Sequence, residues 1–211
     1  MTRRQNLDIV TQSAQKRANR FTNRQVADMT LTKALVPSNS LATRAAMVLG
    51  GTAVLAAASQ VSVPMFPVPM TLQTLAVLAI GMTFGARMGA LTVLAWLGEA
   101  FAGLPVLANG GATASFFGPT AGFLMGFVLM AAIAGAAADR GDKSVLGLAV
   151  AGLIASAALY VPGLAYPALM MGKTMPELVS GWMAPFLIGD AIKAVLAALI
   201  VSGSWNFLAK R

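Results

Sequence analysis

Residues 182–208 read WMAPFLIGDAIKAVLAALIVSGSWNFL, an apolar stretch long enough to cross a bilayer as a helix. Two charges interrupt it, Asp190 and Lys193, and their spacing of about one helical turn places carboxylate and ammonium on one face. An ionisable residue at the bilayer centre costs roughly 2.5 to 3.5 kcal/mol, so a pair kept there usually lines a cavity or a ligand site. We take the pair as the candidate binding site. The alternative is a salt bridge that only locks two helices together.

The composition of the whole chain places this stretch in an integral membrane protein. Of the 211 residues, 57% are hydrophobic and 10% are charged, and the mean hydropathy is +0.75. A soluble domain carries roughly 25% charged residues. A soluble globular fold is therefore disfavoured, and the lipid bilayer is the expected environment.

The chain lacks the residue types that most catalytic sites need. It has no cysteine and no histidine, which excludes thiolate and imidazole nucleophiles, bases and metal ligands. Its seven acidic residues are scattered, and residues 141–144 (GDKS) lack the glycine and the Gly-Lys step of a phosphate-binding loop. We therefore expect no enzyme activity, no metal, no cofactor and no ATP hydrolysis by the chain itself.

Residues 1–40 form a polar tail ahead of the membrane domain, which we assign to residues 41–211. Eight of the 15 lysines and arginines lie within the first 44 residues. A basic segment before the first apolar span is typical of a cytoplasmic flank attracted to anionic lipid, and nucleic-acid binding is not expected. The tail is predicted to be disordered or to form an interfacial helix. The eight basic residues are Arg3, Arg4, Lys16, Arg17, Arg20, Arg24 and Lys33 in the tail, and Arg44 at the start of the first span.

Beyond the tail, the chain divides into six apolar segments separated by proline, glycine and charged residues. Their number and length predict an all-α integral membrane protein with a bundle of six transmembrane helices. The second and third segments are short for full spans, which indicates that one is broken or tilted. The spans are predicted at about residues 44–62, 70–85, 88–103, 119–138, 144–170 and 182–208.

The distribution of lysine and arginine orients this bundle. An even number of crossings places both termini on one side, and with cytoplasmic termini thirteen of the 15 basic residues lie inside. Lys173 alone then faces outward and Lys193 lies within a span, so the positive-inside rule favours cytoplasmic termini in a cell membrane. Asp190 then lies about two turns below the outer end of the last helix, on the same side as the glycine-rich loop of residues 103–119.

Several polar and aromatic residues are further candidates for a site. The loop of residues 103–119 is too rich in glycine to continue a helix, and Asn109 within it offers a donor and an acceptor. The loop is either a lid or an ordinary external connection. Glu99 is either a second buried acid or a residue that faces water. Four aromatic residues are interpreted as interface-belt or cavity residues: Trp96, Tyr160, Tyr166 and Trp182.

Small residues recur along the first span. Ala53 and Ala57 follow Gly50 at intervals of four or close to it. In lipid, small residues on one face allow another helix to approach closely. For this span, packing within the bundle and docking of a separate protein are both open. For Gly122 and Gly126 in the fourth span, we expect internal packing.

Four ordered blocks of sequence resemble the signatures of a known family. Residues 67–74 read PVPMTLQT, and residues 185–193 read PFLIGDAIK. Between them lie GARMGA at residues 85–90, and GLPV at 103–106 followed by GPTAGFLMGF at 118–127. In this order the blocks resemble the BioY family, the substrate-binding component of biotin transporters of the energy-coupling factor (ECF) type. The resemblance covers about residues 45–205.

The resemblance implies a six-helix bundle of the ECF S-component type that binds biotin from the outside. It also implies transport together with a transmembrane coupling protein and two ATPase subunits. In the family's pattern, the acid and the lysine correspond to Asp190 and Lys193, and an asparagine corresponds to Asn109. The family docks its coupling protein where Ala53 and Ala57 lie.

The chemistry of the charge pair suits biotin. Asp190 can accept from a ureido N–H, and Lys193 can donate to the ureido oxygen or pair with the carboxylate, which leaves the ligand's orientation open. The main alternative is a self-sufficient secondary carrier in which Asp190 or Glu99 takes up a proton. A membrane-embedded enzyme would need clustered acids, and a scaffold would bind no labelled biotin.

Overall fold

The computed structural model describes residues 40–209, so the tail predicted for residues 1–40 lies outside the described residues except for Ser40. One α-helical turn, Met175–Glu177, and one π-helical segment, Leu178–Met183, run directly into the last long helix. Within residues 40–209, the long α-helices are α1 (Leu41–Gln60), α2 (Gln73–Phe84), α3 (Ala86–Phe101), α4 (Ala121–Asp139), α5 (Val145–Met170) and α6 (Ala184–Ala209).

Helix lengths divide these elements into two groups. α2 has 12 residues and α3 has 16, so at 1.5 Å per residue they are about 18 and 24 Å long. Both are shorter than a hydrocarbon core of about 30 Å, as predicted for the second and third segments. In the described part of the chain, four helical stretches are long and apolar enough to cross a membrane: Leu41–Gln60, Ala121–Asp139, Val145–Met170 and Met175–Leu208.

The short helices α2 and α3 meet in a tight turn at Gly85. Its φ of 83° lies in the left-handed region, which glycine adopts without steric cost. The backbone amide of Ala86, at the start of α3, donates to Asp139 Oδ2 at 2.9 Å. This bond satisfies one of the free amides of the helix N-terminus and ties the turn to the end of α4.

α4 is the central helix and packs against α5, α2 and α3, while α5 also packs against α6. Two glycines permit the close approach of α4 to α5. A Cβ on Gly122 would collide with the carbonyl oxygen of Pro162, and a Cβ on Gly126 would lie 2.7 Å from Leu159 Cδ1. The internal packing predicted for both glycines is confirmed. By contrast, α1 lies at the periphery. Only 17% of its most apolar 18-residue stretch is buried inside the structure.

Trp96 on α3 is part of the packed core. It is completely buried, and its Nε1 donates to the carbonyl oxygen of Val106 at 3.1 Å. The interpretation of Trp96 as an interface-belt or cavity residue is therefore wrong. Its ring fills the bundle interior and its N–H holds the loop that follows α3.

The structure is predominantly helical, in agreement with the predicted α-helical fold, and it also contains one small hairpin that was not predicted. β1 (Ser62–Val63) pairs antiparallel with β2 (Met70–Thr71). The connection of residues 64–69 contains three prolines, which cannot donate to a helical ladder, and its Phe66–Pro67 peptide bond is cis. The hairpin therefore separates α1 from α2.

Candidate functional site

The predicted charge pair is buried inside the bundle. Asp190 and Lys193 are 6% and 8% exposed, and Lys193 Nζ lies 3.7 Å from Asp190 Oδ1. The two side chains share one face because they stand one turn apart on α6. The distance is that of an ion pair without a short hydrogen bond. The lysine ammonium, which has three N–H donors, therefore keeps capacity for another acceptor.

The Asp190 carboxylate is held from three helices. Tyr160 Oη on α5 donates to Asp190 Oδ2 at 2.6 Å, and Thr74 Oγ1 on α2 donates to Oδ1 at 3.5 Å. Lys193 approaches from α6 itself. The tyrosine bond has the length of a charge-assisted O–H···O⁻ bond, whereas the threonine bond is long. The carboxylate is thus fixed in orientation at the point where α2, α5 and α6 meet.

These groups belong to the wall of a cavity of about 550 Å³, the open space at its mouth included. Ligand pockets typically have mostly apolar walls and a few placed polar groups. Here the apolar part of the wall includes the aromatic rings of Phe123, Phe127 and Phe186. The polar cluster in the wall includes Thr71, Gln73, Thr74, Tyr160, Asp190 and Lys193.

The hairpin closes one side of the cavity. Val68 and Met70 are part of the wall, and Val68 packs against Leu178 and Trp182 of the π-helical segment. A Cβ on Gly189 would lie 3.1 Å from Met70 Sδ, so the hairpin rests against α6 one residue before the charge pair. Trp182 is 3% exposed and belongs to this apolar cluster.

A chain of hydrogen bonds connects the cavity wall to α1. Gln73 Nε2 donates to Ser59 Oγ at 3.0 Å, and Ser59 Oγ donates to the carbonyl oxygen of Leu55 at 2.6 Å. Thr71 Oγ1 donates to Gln73 Oε1 at 3.0 Å and accepts from the backbone amide of Gln73 at 3.2 Å. Gln73, Ser59 and Thr71 are all buried.

Asn109 lies beside the cavity and is not part of its wall. Its φ of 55° is left-handed, its side chain is exposed, and its Oδ1 accepts from Ser62 Oγ at 3.0 Å. The neighbouring Ala108 does line the cavity, and Gln60 Nε2 donates to the carbonyl oxygen of Leu107 at 3.1 Å. The loop is therefore tied to α1 and the hairpin. A direct contact between Asn109 and a ligand stays a prediction.

The small residues of α1 point away from the bundle. Ala53 and Ala57 are exposed, and a Cβ on Gly50 would meet nothing within 4 Å. We call these three residues the α1 face. An apolar groove between α1 and α2 adjoins it. No described helix covers the α1 face, so internal packing does not account for its small residues.

The remaining candidates fall in different places. Tyr160 lines the cavity, whereas Glu99 and Tyr166 are half-buried and outside its wall. Gln73 and Thr74 also line the cavity but were not predicted as site residues, although both lie in the PVPMTLQT block. The available signal was their position: polar residues that directly follow a proline-rich break and begin an apolar helix.

Comparisons with known proteins give a consistent result. A protein-family model described as the BioY family matches residues 25–210. The match begins about 20 residues before the resemblance noted in the sequence. The chain is similar to the "Biotin transporter BioY" of Rhizobium etli, with 39% identity over 149 residues, 66% of this chain and 79% of the relative. It is similar to the "Biotin transporter BioY" of Thermotoga maritima, with 37% identity over 151 residues, 71% of this chain and 88% of the relative.

The fold also matches a solved structure. That structure is a crystal structure of the S-component for biotin from an ECF-type ABC transporter. The TM-score is 0.70, and the match covers 79% of this chain and 94% of that chain. The sequence identity is 23%, so the match shows a shared fold.

Proposed function

The chain belongs to the BioY family, and from that premise we propose that it is the membrane-embedded biotin-binding component of an ECF transporter that takes up biotin. The observation that carries the proposal is the buried Asp190–Lys193 pair in the wall of a largely apolar cavity. Relatives named as biotin transporters support it. As a member of a transporter family, the chain is not an enzyme, in agreement with the expectation from its missing residue types.

The charge balance of the site favours one orientation of biotin. The ureido ring is neutral and offers two N–H donors and a carbonyl acceptor, while the other end of the molecule is a carboxylate. Asp190 and Lys193 already balance each other, so a carboxylate beside them would leave an uncompensated buried charge. A ureido N–H on Asp190 and a ureido oxygen at Lys193 keep the site neutral. We therefore place the ureido ring at the pair and the carboxylate toward the mouth.

The apolar wall accounts for the rest of the ligand. The thiophane ring and valeryl chain of biotin carry no charge, and the rings of Phe123, Phe127 and Phe186 offer them a surface to bury. Phe123 packs edge-on against Tyr160, with ring centroids 6.1 Å apart. The same tyrosine that orients Asp190 is thereby linked to the apolar wall.

Equilibrium binding of labelled biotin to the purified protein tests the assignment. We expect Asp190→Asn and Lys193→Met each to weaken binding about 10- to 100-fold, because each removes a charged hydrogen-bonding partner from a buried site. Lys173→Met is the matched control, since Lys173 forms an exposed ion pair with Glu177 at 3.1 Å. Wild-type affinity in both site variants would refute the proposal.

At the level of the whole protein, we propose six membrane crossings with both termini in the cytoplasm. Residues 41–211 would form the membrane domain and residues 1–40 a cytoplasmic tail. A coupling protein with two ATPase subunits would dock on the α1 face, whose Ala53 and Ala57 are exposed. Uptake that persists without any coupling component and is abolished by an uncoupler would instead indicate a proton-coupled carrier.

A further inference from the structure

Gln73 is a buried polar residue of the cavity wall to which the proposed function assigns no role. It is the first residue of α2, is 6% exposed and lines the cavity. Its side-chain amide has two N–H donors and two carbonyl lone pairs. Which of these reach the cavity depends on how the amide is held.

The contact with Ser59 fixes the nitrogen end of this amide. Ser59 has a single hydroxyl proton, and that proton goes to the carbonyl oxygen of Leu55, which can only accept. Ser59 Oγ must therefore accept from Gln73. The atom of Gln73 that faces Ser59 at 3.0 Å is consequently the NH₂ group.

The contact with Thr71 is satisfied in the same orientation. Thr71 Oγ1 accepts from the backbone amide of Gln73 and gives its own proton to the side-chain oxygen of Gln73. With the hydroxyl protons as placed, a flipped amide would bring two donors together at Thr71 and two acceptors together at Ser59. Both contacts are satisfied hydrogen bonds only in the observed orientation of the amide, so the buried network favours that orientation.

One N–H and one lone pair of the Gln73 amide have no partner among residues 40–209. A cyclic urea presents the complementary groups, a carbonyl acceptor next to an N–H donor. We propose that Gln73 is a specificity-determining residue, whose oriented amide donates to the ureido oxygen of biotin and accepts from a ureido N–H. This inference rests on the proposed function. It adds α2 to the substrate contacts assigned to α6.

The inference is tested by changing the residue and the ligand together. The ligands are biotin and its analogue in which sulfur replaces the ureido oxygen, because sulfur is a weak acceptor that leaves both N–H donors in place. The variant is Gln73→Met, which keeps side-chain length and leaves the Ser59–Leu55 bond intact. We expect the wild type's preference for biotin over the analogue to fall about three- to tenfold in the variant. If Gln73 only supports the fold, both ligands weaken equally and the unchanged preference overturns the inference.

A second variant tests the orientation without altering the cavity wall. Ser59→Ala removes the acceptor that fixes the NH₂ group, and we expect the same loss of preference with a smaller amplitude. Thr52→Val is the matched control, since Thr52 is another buried hydroxyl on α1 and donates to the carbonyl oxygen of Leu49. If Gln73→Met does not yield folded protein, an unchanged preference in Ser59→Ala overturns the inference. A wild type that binds neither ligand refutes the proposed function itself.

Discussion

Tyr160 and Asp190 are thirty positions apart in the chain, yet their side chains form a 2.6 Å hydrogen bond. Asp190 and Lys193 could be paired from the sequence because their spacing lies within one helix. The tyrosine could not be assigned in this way, because its partner depends on which faces α5 and α6 turn toward each other. Because both helices are almost uniformly apolar, their sequences do not show which face of each helix packs against the other.

The tyrosine bond leads to a prediction at the scale of one atom. In Tyr160→Phe, Asp190 loses its shortest hydrogen bond and the orientation that the bond enforces. We expect biotin binding to weaken about tenfold, measured by equilibrium titration of purified protein. Tyr166→Phe is the matched control, because Tyr166 is half-buried on the same helix and does not line the cavity. Equal effects of the two substitutions would show that Tyr160 does not act through Asp190.

Asn109 was assigned to the site by its resemblance to a family motif, and its contact with a ligand stays a prediction. The motif indicated a polar residue near the ligand, and the structure does place its neighbour Ala108 in the cavity wall. The side chain itself bonds to Ser62 in the hairpin. This contact joins two loops whose relative position depends on the complete bundle, so no local sequence signal predicts it.

At the scale of helices, glycine has different roles on α1 and α4. Gly50 on α1 and Gly122 on α4 both belong to runs of small residues, and the sequence gives the two runs similar spacing. The structure separates them, since Gly122 touches the backbone of α5 while the space beside Gly50 is open. The spacing thus identified the faces with small residues, but it did not show which face packs against another helix of the same bundle.

This difference predicts opposite effects of one substitution. Gly122→Ala pushes a methyl group into the rigid backbone at Pro162, and we expect it to destabilise the protein by about 1 to 3 kcal/mol. Gly50→Ala meets no atom and removes a flexible residue from a helix, so stability should be unchanged or higher by up to about 1 kcal/mol. Thermal unfolding in detergent measures both. A Gly122→Ala protein as stable as the wild type would contradict the close α4–α5 packing.

At the scale of the whole molecule, ligand binding and partner docking are assigned to different surfaces. The cavity is formed mainly by α2, α4, α5, α6 and the hairpin, whereas the α1 face lies outside the bundle. Lipid-exposed small residues would let another protein's helix approach closely. The six apolar segments and their order could be predicted from the sequence, because length and hydropathy determine them. The peripheral position of α1 could not, because it depends on how the other helices pack.

The separation of surfaces predicts a variant that binds biotin but does not transport it. Ala53→Trp places a large ring on the α1 face without touching the cavity. We expect biotin affinity within about twofold of the wild type, since substitutions at distant sites act independently, together with loss of uptake in cells that contain the coupling proteins. Val150→Trp, at an exposed position of α5, is the control and should retain uptake. Normal uptake by Ala53→Trp would exclude the α1 face as the docking surface.

Under the proposed function, the shortness of α2 sets the distance between the binding site and the cytoplasmic surface. The helix begins at Gln73 in the cavity wall and ends at Phe84 beside the turn that we place at the cytoplasmic surface, about 18 Å away. With that placement and a hydrocarbon layer of about 30 Å, a ligand at the proposed site would lie about 12 Å below the outer boundary. Under the proposed function, the path that then remains to the cytoplasm would be no longer than one twelve-residue helix.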